Sequence, residues 1–357
     1  MTPSTSASTT TGTVSWNDDA RRRLFDAWIA GAAGRHGLQI DTLRPASSDA
    51  SFRRYLRVDG REGCFIVMDA PPLHEDVRPF VHVAQLMRAA GLNAPVVLEQ
   101  STEHGFLLLN DLGSRLYLNE LREAVLADDG VRVNGLMRDA VSALVSWQQH
   151  VDASQLPPYD DALLRRELQL FPDWCVAREY GQTWSDVQHA QWTAASDLLV
   201  QSALGQARVA VHRDYMPRNL MVSDPNPGIL DFQDAVGGPI SYDMASLLRD
   251  AFISWPEEQE IDWAVRYWEQ AKKAGLPVPV DFGDFWRQLE WMGLQRHLKV
   301  LGIFCRLKHR DGKPKYSEDL PRFFRYAHHV ASRYNGLGAL ARLLEPLMGE
   351  TRTDVFY

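Results

Sequence analysis

The stretch VHRDYMPRNLMV, Val211 to Val222, holds a histidine, an aspartate and an asparagine in fixed order: His212, Asp214 and Asn219. Farther along, GILDFQD places Asp231 behind Ile229 and Leu230, twelve residues after Asn219. The apolar residues on either side, Val209 to Val211 and Leu220 to Val222, read as short adjacent strands with the polar groups at their ends. Two carboxylates and an amide gathered there are the set that phosphoryl transfer needs. One carboxylate accepts the proton of an attacking hydroxyl. A second carboxylate and an amide oxygen hold Mg²⁺, a hard ion that prefers oxygen ligands and neutralises charge developing on the phosphoryl group. Asp214 or Asn219 alone would be an ordinary turn residue. The three together, at these spacings between apolar strands, carry the reading.

The elements that must position these groups follow from periodicity. Ser15 can cap a helix running through Ala30, with Leu24 and Trp28 on one face. SSDASFRRYLRV (Ser47 to Val58) and CFIVMDAPP (Cys64 to Pro72) read as strands joined by the turn Asp59 to Gly63. Phe80, Val83, Ala84 and Met87 recur at helical spacing between Val77 and Ala90. Ala94 to Gln100 and Gly105 to Gly113 give two more strands. Beyond Gly113 the pattern is helical, near 116–127, 133–150, 161–180, 185–204, 241–253, 259–274, 283–308 and 318–346, with one strand-rich island from Val209 to Phe232. The fold class expected is α+β: a Ser/Thr-rich disordered tail over 1–14, a small sheet-containing lobe over 15–112 and a larger helical lobe over 113–357.

Composition narrows the function classes. The 357 residues suit two lobes, and 45% hydrophobic residues permit a large core. A net charge of −8 disfavours bulk nucleic-acid binding. No apolar run is long enough to span a membrane. Cys64, Cys175 and Cys305 form neither a metal spacing nor a disulfide framework, which suits a reducing cytoplasm. Nothing in the sequence implies an obligate protein partner. The charge is uneven: Trp286 to Arg333 carries 11 Lys/Arg against 4 Asp/Glu, and lysine is absent before Lys272.

HRDYMPRN matches the kinase pattern H-R-D-x-x-x-x-N, and LDFQD stands where the DFG-type aspartate stands. The missing glycine and the lack of an A-P-E segment point away from protein kinases. PISYDMASLLRD, Pro239 to Asp250, resembles the segment after the metal aspartate in aminoglycoside-phosphotransferase-like small-molecule kinases. Within that superfamily, residues 15 to 350 resemble the anomeric amino-sugar kinases of bacterial peptidoglycan recycling, on SSDASFRRYLRV, FIVMDAPP, LLLNDLG, VHRDYMPRNLMV, GILDFQDAVGGPISYDMASLLRDAF and QRHLKVLGIFCRLKHRDGK. The resemblance implies a bilobal, protein-kinase-like fold. It also implies ATP and Mg²⁺ as cofactors and transfer to the anomeric hydroxyl of N-acetylmuramate or N-acetylglucosamine. Asp214 would then be the base or the group that orients the hydroxyl, and Asn219 and Asp231 the metal ligands. His212 would tie the loop to the core, and Asp243 would brace it from the following helix. Asp234 is left open between a supporting carboxylate beside the site and a helix cap, with Gln233 next to it.

The chain departs from the kinase pattern at the third strand, where Met68 of FIVMD occupies the position usually taken by a phosphate-binding lysine. Ser48, Asp49, Ala50, Ser51 and Phe52 line up loosely with the Gly-rich loop, whose small residues let backbone approach phosphate. Arg53 or Arg54 is expected to replace the lysine, since guanidinium grips phosphate oxygens in a fork, with Glu75 as a candidate partner. Backbone groups of Asn110 and Leu112 would meet the nucleotide base.

The basic segment suits an anionic acceptor, such as the lactyl carboxylate of N-acetylmuramate, better than a polycation. Gln295, Lys299 and Arg306 fall close to helical register and are the candidates to reach the sugar, with Trp174, Trp184 and Trp291 as stacking candidates. Two further readings stay open: a same-fold kinase of choline, an aminoglycoside or an amino acid, and a nucleotide-binding pseudokinase.

Overall fold

The computed structural model describes residues 14–16, 18–47, 52–61 and 63–348. Most of the Ser/Thr-rich tail and the Ser48, Asp49, Ala50 and Ser51 of the expected phosphate loop lie outside them. The chain forms two compact units. One runs to Ser114 and takes in Ser223–Gln233; the other comprises Arg115–Val222 and the chain from Asp234 onward.

The first unit begins with helix α1 (Asp19–His36). Its cap is Asp18, which accepts the Ala20 N–H, and not Ser15 as the sequence suggests. The helix turns Phe25, Ile29 and Ala32 inward, while Leu24 is exposed. Strands β1 (Gln39–Ser47), β2 (Arg54–Gly60) and β3 (Gly63–Asp69) follow, then helix α2 (Arg78–Ala89) and strands β4 (Val97–Ser101) and β5 (Phe106–Asn110). They make one antiparallel sheet in the order β1-β2-β3-β5-β4. The inward alternation of Leu56, Val58, Val67, Phe106 and Leu108 supplies the face that meets α1. β1 is the strand the sequence hid: Pro45 removes a donor and the apolar alternation is weak, which an edge strand tolerates. Segment 223–233 joins this unit, although the sequence assigns it to the helical lobe. The Asn93 amide donates to Ser223 Oγ and the Pro225 carbonyl, the Ile229 N–H donates to the Asn93 carbonyl, and Phe232 rests 4.7 Å from Phe80.

The second unit contains α3 (Tyr117–Leu126), α4 (Gly130–His150), α5 (Asp161–Leu170) and α6 (Asp186–Leu204). After the short strands β6 (Arg208–Val211), β7 (Leu220–Met221), β8 (Gly228–Ile229, within the inserted segment) and β9 (Val236–Pro239) come α7 (Tyr242–Leu248), α8 (Glu257–Lys273), α9 (Phe282–His309), α10 (Leu320–Arg333) and α11 (Gly338–Leu344). β6 pairs antiparallel with β9. Two long helices expected from periodicity are interrupted. The 161–180 helix widens into a π-helical stretch over Phe171–Glu179, where Pro172 cannot donate its hydrogen bond. The 318–346 helix breaks at Asn335–Leu337, between Tyr334 and Gly338.

The 28-residue helix α9 is the axis of this unit, packing on α5, α6, α7, α10 and the π-helical stretch. Gly302 permits the closest of these approaches: a Cβ there would sit 2.4 Å from the Leu170 carbonyl carbon. No helix among the described residues is long and apolar enough to cross a membrane.

Candidate active site

Each unit carries its own set of candidate residues. In the second, buried strand β6 delivers the chain into the loop His212–Asn219. Asp243, in the first turn of α7, accepts the His212 N–H at 2.7 Å and the Arg213 N–H at 3.0 Å. These two bonds hold Arg213 at φ 77°, a left-handed conformation that costs a non-glycine residue roughly 1–2 kcal/mol. Asp243 is fully buried, and burial pushes its carboxyl up to about 7 against the pull of the two N–H donors. His212 Nδ1 accepts the Asp214 N–H at 3.3 Å, and its ring meets Tyr215 edge-on. The Tyr215 hydroxyl is anchored on the Ala140 carbonyl at 2.7 Å. The Asn219 amide nitrogen donates to the Asp214 carbonyl at 2.9 Å, so the amide oxygen is the end turned the other way. The loop is thus determined from several directions, and Asp214 is its half-buried carboxylate.

A charged cluster abuts that loop. Glu167 of α5, which is 6% exposed, pairs with the Arg213 guanidinium and with Lys299 Nζ at 2.9 Å. The Tyr159 hydroxyl donates to the same carboxylate, and Gln295 Nε2 reaches it and Tyr159 at 3.4 and 3.3 Å. Burial disfavours the Glu167 charge, but Lys299 and Arg213 outweigh it and hold the carboxyl below the usual glutamate range. Burial also opposes the Lys299 ammonium, yet Tyr242, Glu167 and Asp214 keep its pKa above the ordinary lysine value. Gln295 and Lys299 therefore share a buried carboxylate, where the sequence has them reaching the sugar in company with Arg306. Arg306 lies apart from them, next to Arg310 and Asp311, with burial the main cause of its lowered pKa. Trp184 is core, against Phe171 and Trp192. Trp174 is half-buried, and Trp291 packs edge-on against Tyr334. Asp234 is exposed in the turn before β9, so it caps no helix.

In the first unit Asp231 adopts φ 63°, and its Oδ1 accepts from Gln233 Nε2 at 2.9 Å. The two arginines after Phe52 part company. Arg54 Nε donates to Asp69 Oδ2 at 3.0 Å, Nη1 donates to the Ser15 carbonyl, and the guanidinium lies over Trp16. Asp69 at the end of β3 also accepts Arg21 Nε and Nη2 at 3.0 and 2.6 Å. Arg53, 13% exposed, instead places Nη2 3.9 Å from Asp231 and Nε 3.8 Å from Glu75. Glu75 lies in the turn before α2 and not on the helix. Met68 is buried at 1% exposure, facing the core where a lysine would be desolvated. Phe52 is exposed and stacks on His74 at 4.3 Å.

At the end of β5, Arg57 grips Asp111 (3.0 Å from Nη2 to Oδ1) and the Gly113 carbonyl (2.8 Å). Gly113 sits at φ 97°, in the region that favours glycine. The Asn110 N–H and side-chain oxygen are both used on Val96, whereas the Leu112 backbone has no hydrogen-bond partner among the described residues.

The donor types are those a magnesium ion takes: the Asp231 carboxylate and the Asn219 amide oxygen are hard oxygen ligands. A model of the phosphotransferase enzyme family matches residues 42–282. An N-acetylmuramate/N-acetylglucosamine kinase of Pseudomonas putida is 49% identical over 94% of this chain and 96% of its own length. One of Pseudomonas aeruginosa is 50% identical over 93% and 98%, and one of Neisseria meningitidis serogroup B 47% over 87% and 91%. The chain belongs to this kinase family. Among solved structures, ADP-bound aminoglycoside phosphotransferase APH(2'')-Ib has a TM-score of 0.58 at 14% identity, covering 87% of this chain and 97% of that one. Choline kinase LicA from Streptococcus pneumoniae has a TM-score of 0.59 at 11% identity, covering 87% and 99%. At such low identity these two speak for the fold alone.

Several residues of this amino-sugar kinase family member carry no signal in the sequence. Glu167 looks like any acidic position on an amphipathic helix, and only packing reveals that it is buried. Arg213 belongs to the matched motif, but its φ and its partner are tertiary facts. Asp69 follows FIVM as an ordinary strand end, and nothing local announces that two arginines converge on it.

Proposed function

We infer that this chain is an ATP-dependent kinase of N-acetylmuramate and N-acetylglucosamine that phosphorylates the anomeric hydroxyl. The observation that carries the reading is 49–50% identity to kinases of these two sugars, over 93–94% of this chain. The catalytic loop agrees with it. Asp214 would accept, or orient, the proton of the sugar C1 hydroxyl as its oxygen attacks the γ-phosphorus of ATP; the bond to the ADP oxygen breaks and the proton ends on the carboxylate. An anomeric hydroxyl is more acidic than an ordinary alcohol, so orientation carries much of that work. The Arg213–Glu167–Lys299 cluster keeps cationic charge beside Asp214 and holds the loop in its left-handed turn.

Mg²⁺, for which Asn219 and Asp231 each offer an oxygen donor, would supply neutralisation of phosphate charge when bound. Arg53, and not Arg54, is the residue we assign to the ATP phosphates in place of the absent lysine, because Arg54 is held by Asp69, Ser15 and Trp16. The Leu112 main chain is the proposed contact for the base. The test is ADP release with Mg²⁺-ATP and, separately, N-acetylmuramate, N-acetylglucosamine, choline and kanamycin. Turnover with the two amino sugars is expected. Turnover only with choline or kanamycin, or none with any acceptor, would overturn the assignment.

A further inference from the structure

Arg296 stands on α9 between Gln295 and His297 and is 4% exposed, yet its guanidinium makes no hydrogen bond or ion pair with any described residue. Arginine cannot escape a desolvated setting by losing its proton, and none of the Arg296 nitrogens is among the sealed, unpartnered buried atoms, so the guanidinium stays within reach of an acceptor from outside the chain. The neighbouring His297 offers no counter-charge. Burial and the Arg249 and Arg296 charges push its pKa well below the ordinary value, so it is neutral.

The charges that act on Arg296 come from α7 and the residues just after it. Asp243 and Asp250 are both fully buried, and the Arg296 charge favours the ionised form of each. Asp243 is engaged with the catalytic loop. Asp250 is only half engaged: Oδ1 accepts the Phe252 and Ile253 N–H groups at 2.7 and 2.9 Å, while Oδ2 is buried with no partner among the described residues. Arg322 of α10 also acts on Asp250, and its Nη1 is buried with no partner among the described residues. Two guanidiniums thus act on one carboxylate whose Oδ2 has no donor among the described residues. A ligand carrying an anionic group and a hydroxyl or amide N–H satisfies all three.

The place is right for such a ligand. The seven residues of α7 rise about 10 Å at 1.5 Å per residue, with Asp243 in the first turn and Asp250 two residues past the end. Asp243 grips the N–H of Arg213, the residue before Asp214. The cluster therefore stands one short helix from the phosphoryl-transfer loop, a distance spanned by a hexose with a side arm.

We propose that Arg296, with Arg322 beside it, receives the lactyl carboxylate of N-acetylmuramate, and that Asp250 Oδ2 accepts a hydrogen bond from the same sugar. This rests on the amino-sugar kinase reading and names the residue that sets preference between its two substrates. N-acetylglucosamine lacks the carboxylate, so Arg296 biases the choice without deciding acceptance. Helical spacing alone points instead to Gln295, Lys299 and Arg306. The first two are committed to Glu167, and the third lies elsewhere on α9.

The experiment measures kcat/KM for both sugars in wild type, Arg296→Met and Arg296→Lys, with thermal unfolding of each. Arg296→Met should lower the N-acetylmuramate to N-acetylglucosamine ratio of kcat/KM at least about 30-fold, chiefly through KM. Arg296→Lys keeps the charge but loses the fork, and should fall between the two. An unchanged ratio, with or without a shared loss of activity, overturns the proposal. So does failure of both variants to fold, which would make Arg296 an internal counter-ion of Asp243 and Asp250. If wild type phosphorylates neither sugar, the kinase reading itself falls, an outcome distinct from an unchanged ratio.

Discussion

Replacing Glu167 by glutamine removes one buried negative charge from between two cations. Lys299 Nζ lies 2.9 Å from the carboxylate, and the Arg213 guanidinium pairs with its Oε1 as well. At an effective dielectric constant of about 20, one pair at that separation is worth about 6 kcal/mol of Coulomb attraction. Desolvation offsets part of this, and breaking a buried pair from one side costs about 3–5 kcal/mol in practice, because the partner charge stays buried. Nine of the eleven tryptophans lie in the helical unit, so urea unfolding followed by tryptophan fluorescence reports on the part of the molecule that is perturbed. Glu167→Gln should lower its unfolding free energy by about 3–5 kcal/mol. Adding Lys299→Met should recover at least about 1 kcal/mol of that loss, since the double variant leaves one fewer uncompensated cation. Turnover should also fall, at least tenfold at temperatures where the variant is folded, because Arg213 holds the backbone next to Asp214. The pH dependence has a definite sign. The Glu167 carboxyl is held below its ordinary value, so its contribution is present above the unfolded glutamate pKa of about 4.3 and disappears as pH falls through the lower folded value. Wild type and Glu167→Gln should therefore converge in acid. A loss under about 1 kcal/mol with additive single and double variants would refute the claim that this cluster holds the loop.

Asp214→Asn should reduce turnover by about 10³-fold or more while nucleotide affinity changes little; turnover within tenfold of wild type would remove Asp214 from the chemistry. Arg53→Ala should raise the KM for ATP with little effect on unfolding. Arg54→Ala should do the reverse, destabilising the sheet unit because Asp69 Oδ2 loses its Arg54 donors and the carboxylate keeps only Arg21 on Oδ1, and a swapped pattern would reassign the phosphate contact. Asp250→Asn keeps the acceptor used by Phe252 and Ile253 and removes a charge that burial opposes, with the carboxyl pushed up to about 6. Because the folded pKa is raised, protonated Asp250 favours the fold below about pH 4, and that advantage is lost as pH rises through 6. Above pH 6 the variant should thus be more stable than wild type by up to about 3 kcal/mol, with no difference near pH 4. Equal stability profiles by urea unfolding across that range would contradict it.

Much of this architecture is legible in the chain because local pattern and tertiary need agree. The alternation of Leu56, Val58 and Val67 announces the sheet face, and Phe80, Val83 and Met87 announce α2. The motif spacing from His212 to Asn219 locates the loop without any structure, since an apolar strand on each side leaves it nowhere else to be. The failures have physical causes. β1 carries a proline and an irregular register, so no period marks it. Ser15 is a good cap by type, but Asp18 is better placed to meet the Ala20 N–H. Gln295, Lys299 and Arg306 share approximate helical spacing, yet helical register says nothing about which face meets a buried carboxylate. Spacing is equally silent on Arg296: that no described residue hydrogen-bonds its guanidinium is visible only in the structure.

The most direct test of the central claim is proton-coupled ³¹P NMR of the product formed from Mg²⁺-ATP and N-acetylmuramate or N-acetylglucosamine. A phosphomonoester resonance split into a doublet by the single C1 proton is expected for both sugars, with loss of the reducing end. A resonance coupled to the two C6 protons, or γ-phosphate appearing only as inorganic phosphate, would contradict the account.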